Sequence, residues 1–275
     1  MKPLKPAEIL DYTIETAVGK ANGSFSKLLI LGIMAGAFIA FAAEGSNMAA
    51  FNLFYEPTTY GLGKALAGAL FGTGLMLVVL CGGELFTGNT LILTAVCEKK
   101  VKITQMLRNW VIVYTGNLIG SMFIAFMMYH SGLFTSGADV LGAVTIKIAA
   151  YKTGLTFVQA FFLGIMCNWL VCLAVWLSYG ADTMAGKILG IFFPIWLFIT
   201  SGFEHSVANM YYIPAGILAK ANPSFVELSH VSAEALANLS WSGFFINNLI
   251  PVTLGNIVGG GIFVGIAYWF VYKKA

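Results

Sequence analysis

The sequence predicts an all-α integral membrane protein with six transmembrane helices. Only 10% of its 275 residues are charged and 59% are hydrophobic, whereas a soluble domain carries roughly 25% charge. The mean hydropathy is +0.84, so too little polar surface is left to cover a water-facing globule. The apolar residues also fall in six long runs: 28–43, 65–83, 110–129, 155–179, 188–202 completed by 207–219 after a polar break, and 244–272. About 20 apolar residues cross a bilayer as a helix.

Residues 1–24 carry Lys2, Lys5, Glu8, Asp11, Glu15 and Lys20 with no apolar signal-peptide core, and read as mature protein. Ile9, Leu10, Ile14, Ala17 and Val18 recur at helical spacing there. That pattern predicts an amphipathic helix lying at the membrane surface. With the N-terminus inside, eleven Lys and Arg residues fall on the inner side, Lys99, Lys100, Lys102 and Arg108 among them. Four fall outside: Lys64, Lys147, Lys152 and Lys220. This bias orients both termini towards the cytoplasm of an inner-membrane protein. The net charge of +3 reflects that orientation and implies no nucleic-acid partner. Cys81, Cys97, Cys167 and Cys172 read as packing thiols, not disulfides.

The chain repeats itself. "GIM" occurs at 32–34 in span 1 and at 164–166 in span 4. Span 2 is interrupted by "ELFTGN" (84–89) and span 5 by "EHSVAN" (204–209), each with Glu and Asn five apart. Span 3 holds "GNLIG" (116–120) and span 6 "GNIVG" (255–259). The echoes keep one order in both halves, which predicts a 3+3 inverted repeat, residues 25–130 and 150–275, within a single domain spanning 1–275. Each half has an odd number of spans, so the second enters the membrane from the opposite side. Paired polar interruptions in matching spans mark a transport path, because broken backbone at membrane depth survives only where it lines a cavity or is buried in protein. An ionisable group there is a functional candidate by default.

Four segments, "GELFTGNTLILTA", "GIMCNWLVCLAVW", "SGFEHSVANMYYIPAG" and "NNLIPVTLGNIVGGG", resemble the signature segments of the formate/nitrite transporter family, which also contains hydrosulfide channels. The resemblance covers essentially all six spans. It implies a homopentamer of aquaporin-like protomers, each with its own pore, broken helices 2 and 5, and small monovalent anions as substrate. By the same resemblance the family's histidine falls on His205, its break threonine on Thr87, its span-4 asparagine on Asn168 and its lysine on Lys152. The apolar constrictions fall on Phe71, Leu75, Leu85, Phe86 and Phe198. The "NNLIPVTLGNIVGGG" segment leans towards formate among the three anions.

Physical chemistry assigns these residues work. An unpaired anion is very costly in an apolar medium and is neutralised instead. Lys152 would attract the anion near the outer mouth. The apolar rings would then favour its conjugate acid by desolvation, with the proton taken from His205 or from water. His205 is the one side chain whose ordinary pKa, about 6.5, lies near neutrality. Glu204 would favour its charged form or fix its tautomer, and burial opposes that charge; the sequence leaves both open. Thr87 and Asn168 would hold the anion as neutral donors. Each residue also has a structural reading. His205 would be a hydrogen-bonding post, Glu84, Glu204, Asn89 and Asn209 would hold broken backbone, and Lys20 would touch headgroups. Gly32/Gly36, Gly68/Gly72 and Gly116/Gly120 have the spacing for close helix packing.

The three histidines, His130, His205 and His230, are far apart in sequence and form no metal-ligand pattern. No catalytic residues, metal or cofactor are expected, and the chain does not read as an enzyme. A proton-coupled anion symporter of the same fold uses every residue named above. An aquaporin-like neutral-solute channel is the weaker alternative, since neither break contains Asn-Pro-Ala.

Overall fold

The computed structural model describes residues 2–274, helical throughout and without strands among those residues. Helix α1 (Pro6–Ala21) begins with proline in its first turn, and the Glu8 carboxylate accepts the Lys5 N–H at 2.6 Å. Its apolar face is not laid on lipid, as the sequence pattern suggested. Leu10 and Ile14 are buried in the protein, and α1 packs across one end of the bundle, called here the inner face. An ion pair from Lys273 to Asp11 at 2.6 Å ties α1 to the last helix.

Helix α2 (Phe25–Tyr55), capped by Ser24, crosses outwards. Span 2 is α3 (Pro57–Gly82) followed, after a three-residue gap, by the short α4 (Phe86–Cys97). Helix α5 (Ile103–Ser131) crosses outwards again. A helix that the sequence reading left unassigned, α6 (Val140–Thr153), follows on the outer side. Span 4 is α7 (Phe157–Gly180), started by a Thr156–Gln159 capping box. Span 5 is α8 (Met184–Ser201) and, after the break, α9 (Ser206–Ala219). Two short helices, α10 (Pro223–Ser229) and α11 (Ala233–Asn238), lead to α12 (Gly243–Lys273), which is wound partly as π-helix.

The six spans meet the length and apolarity expected of membrane helices. Their outward-facing residues, such as Phe41, Val111, Phe123, Phe162 and Phe193, are exposed and apolar. Glycines set the close crossings. A Cβ on Gly36 would run into the Asn117 carbonyl, and one on Gly120 into the Ile33 carbonyl, so α2 and α5 touch backbone to backbone. The second half packs the same way. A Cβ on Gly255 or Gly259 of α12 would strike the carbonyls of Phe161 and Ile165 on α7. These two crossings hold the breaks of spans 2 and 5 inside the protein.

Candidate functional site: the meeting of two helix breaks

Helices α3 and α8 end at glycines with left-handed backbone, Gly82 (φ 90) and Gly202 (φ 80). That conformation strains any residue with a Cβ. The chain then runs non-helically through 83–85 and 203–205 before α4 and α9 begin. Each break frees backbone groups that need partners at membrane depth, and the two breaks satisfy them with the same residue types. Glu84 N–H donates to Leu31 O at 3.1 Å and Glu204 N–H to Leu163 O at 3.2 Å. The Asn117 amide donates to Gly32 O and Glu84 O, and its Oδ1 accepts the Phe86 N–H. The Asn256 amide donates to Gly164 O and Glu204 O, and its Oδ1 accepts the Ser206 N–H.

The carboxylates are embedded likewise. Glu84 accepts from Asn89 Nδ2 at 2.6 Å and Lys20 Nζ at 2.9 Å. Glu204 accepts from Asn209 Nδ2 at 2.7 Å and Lys152 Nζ at 2.8 Å. Asn109 and Asn248 close the two networks, accepting from Asn89 and Asn209 and donating to Lys20 O and Lys152 O. The structural reading of Glu84, Glu204, Asn89 and Asn209 therefore describes their contacts. Lys20, read from the sequence as a headgroup contact, is the ion-pair partner of Glu84. Lys152 is not a lone mouth cation: it is buried and ion-paired with Glu204.

One difference separates the networks. Lys20 Nζ also reaches Asn89 Oδ1 at 3.0 Å. Lys152 Nζ instead lies 5.2 Å from the centre of the Tyr212 ring, and Asn209 Oδ1 is buried with no hydrogen-bond partner.

Between the networks, Thr87 and His205 meet, both fully buried, with Oγ1 and Nε2 2.9 Å apart. His205 caps α9, its Nδ1 accepting the Ala208 N–H at 3.0 Å. A backbone N–H only donates, so Nδ1 carries no proton and the neutral ring holds its proton on Nε2. That Nε2–H donates to Thr87 Oγ1. The Thr87 hydroxyl hydrogen is thereby turned away from His205, and it has no acceptor among the described residues.

Apolar rings seal the pair on the outer side. The Phe198 ring stacks 6.0 Å from His205, and Phe71 meets Phe198 edge-on at 5.8 Å. On the inner side a cavity of about 210 Å³ is lined by Lys20, Leu75, Gly82, Leu85, Asn89 and neighbouring apolar residues. Leu75 and Leu85 are part of that cavity's wall, and Thr87 is not. Phe86 does not line it; its ring packs edge-on against Trp110 and Tyr114. Asn168 lies beside Thr87, yet its amide donates to Thr87 O, Thr90 Oγ1 and Asn256 O, so its donors are taken by the protein.

Sequence reasoning missed Asn109, Asn248 and the matching of Lys20 with Lys152. The signal was present. Asn-x7-Asn occurs at 109–117 and at 248–256, extending the "GN" echo upstream. Lys20 stands twelve residues before the Gly of the first "GIM", as Lys152 does before the second.

Comparison with known proteins gives the same assignment. The family model described as formate/nitrite transporter matches residues 7–270. A probable formate transporter of Methanothermobacter thermautotrophicus is 41% identical, over 98% of this chain and 97% of that protein. The formate channel FocA of Haemophilus influenzae is 40% identical, over 98% and 95% of the two chains. Among solved structures, a pentameric formate channel with formate bound superposes with a TM-score of 0.80 at 41% identity, covering 91% of this chain and 98% of its own. An FNT family ion channel gives 0.77 at 30% identity, covering 96% and 98%. The chain, with six apolar spans, two broken helices and a buried Thr87–His205 pair between them, belongs to the formate/nitrite transporter family.

Proposed function

We propose that this protein is a channel for small monovalent weak-acid anions, formate foremost, working as a homopentamer in the cytoplasmic membrane with both termini inside. The observation that carries the reading is the Thr87 hydroxyl, held by His205 Nε2–H so that its own hydrogen is free, in an otherwise apolar seal. Three relatives and neighbours bear names of formate or ion channels and a fourth that of a probable formate transporter, and one of the channels is pentameric with formate bound.

The protomer is a 3+3 inverted repeat of aquaporin-like form, and the helix leading into each half carries a network lysine in its last turn. The paired hydrogen bonds of the two breaks support this, because Lys20, Glu84, Asn89, Asn109 and Asn117 find counterparts in Lys152, Glu204, Asn209, Asn248 and Asn256.

On each side the approach to the seal passes a lysine paired with a glutamate. The pair is a dipole. It offers ammonium hydrogens at short range while its long-range field largely cancels. The seal then strips water. Leu75 and Leu85 on one side, and Phe71 and Phe198 on the other, supply no replacement for a hydration shell, so the conjugate acid is favoured over the anion. The Thr87 O–H donates to a substrate oxygen or sulfur at the narrowest point without fixing a charge there. The proton comes from vestibule water, since His205 Nδ1 is engaged with Ala208 and the Nε2 proton is engaged with Thr87. Asn168, Glu204 and Phe86 shape the site by holding Thr87, the span-5 break and α4.

Proteoliposome uptake of formate, nitrite and hydrosulfide at one fixed pH tests the proposal. Formate uptake should exceed the protein-free control and exceed the other two. Equal, control-level rates for all three anions, with water or glycerol crossing instead, would leave the neutral-solute reading.

A further inference from the structure

We infer that Lys64, on α3, is the cation that gathers anions at the outer side of the passage. This inference rests on the reading of the passage as an anion path.

Lys64, Gly68, Phe71 and Leu75 are spaced i, i+4, i+7 and i+11 and so share one stripe of α3. Phe71 and Leu75 of that stripe belong to the seal and to the cavity wall. Lys64 sits two turns further out, about 10 Å along the axis from Phe71. Its ammonium lies over the backbone of the outer break: a Cβ on Gly202 would be 3.6 Å from Lys64 Nζ and 3.9 Å from Cε. Gly202 is two residues from Glu204 and three from His205. The side chain is half-buried and makes no hydrogen bond or ion pair with any described residue.

Charge separates Lys64 from the two network lysines. Lys20 and Lys152 are each neutralised by a carboxylate within 3 Å. Of the two lysines at the outer break, Lys64 is the one with no carboxylate at ion-pair distance among the described residues. The inner break has no counterpart. The two breaks are offset by 120 residues, as Gly82 and Gly202 show, and the position matching Lys64 is Met184, which is exposed. Gly82 lines an open cavity and has no atom near its missing Cβ, whereas Gly202 has an ammonium. The passage is thus electrostatically polar, with the attracting charge on the outer side. A charge at a mouth raises local counter-ion concentration and access rate, and salt screens it over about 10 Å at 0.1 M.

The experiment compares wild type, Lys64→Gln and Lys64→Arg in proteoliposomes of known sidedness. At about 20 mM salt, Lys64→Gln should slow formate uptake from the outer side about fivefold, a modest instance of steering. Uptake from the inner side should change less. The outer deficit should shrink towards parity at about 0.5 M salt, and Lys64→Arg should behave as wild type. Equal rates for Lys64→Gln and wild type at low salt would overturn the inference, as would a Lys64→Arg protein as slow as Lys64→Gln. Crystals soaked in bromide give a readout that does not depend on transport. Anomalous density beside Lys64 Nζ, lost in Lys64→Gln, supports the inference; its absence from wild type counts against it. Absent formate flux in a wild type that does hold bromide at Lys64 would sink the formate reading alone.

Discussion

Replacing His205 by asparagine should give a folded, assembled protein that passes formate about ten- to a hundredfold more slowly yet keeps its dependence on pH. Asparagine is a favoured N-cap, so the start of α9 survives. The shorter amide stops short of Thr87 Oγ1, and the hydroxyl loses the donor that turns its hydrogen into the passage. Leaving the buried substrate oxygen without its donor costs about 1–3 kcal/mol, which spans the stated range of rate. Thr87→Val removes the same donor, so the double variant should be little slower than either single one. Uptake should rise as pH falls from about 8 to 5 in wild type and in His205→Asn alike, because a proton accompanies the substrate and comes from water. A flat profile in His205→Asn alone would mean that the imidazole itself supplies the proton.

The second large effect concerns the outer ion pair. Glu204→Ala should destabilise the protein by about 3–5 kcal/mol, because it strands the Lys152 ammonium in the interior and takes one acceptor from each of the Asn209 and Asn248 amides. Glu204→Gln keeps an acceptor for those amides and should lose less. Adding Lys152→Met to a Glu204→Leu background removes the stranded charge and should recover much of the loss. Thermal midpoints of the detergent-solubilised oligomer, read by size-exclusion after heating, measure all four. A Glu204→Ala midpoint equal to wild type would show that the pair is not the anchor of the span-5 break.

Much of this was legible in the sequence because membrane helices announce themselves by length and apolarity, and an ionisable residue inside one has few innocent explanations. "ELFTGN" and "EHSVAN" located both breaks, and the pairing of Thr87 with His205 follows from bringing them together. What the sequence did not carry was partner choice. Lys152 reads as a free outer cation until Glu204 is placed 2.8 Å away. Asn168 reads as a substrate donor until its two amide hydrogens are found enclosed by three protein oxygens. The neutral tautomer of His205 depends on one backbone N–H three residues on, which only the geometry of the α9 start supplies. Helix α6 escaped notice because its apolar run is short, and α1 was misplaced because an amphipathic face looks the same whether it meets lipid or protein.

The central claim is that the substrate crosses the seal as a neutral acid. The most direct test follows formate uptake by wild-type protein in proteoliposomes while dyes report internal pH and membrane potential, with protein-free liposomes as the baseline. The account predicts that protein-dependent uptake acidifies the interior in proportion to the formate gained and builds no potential. Protein-dependent uptake that drives the interior negative without acidifying it would show that the anion crosses with its charge, and would contradict the account.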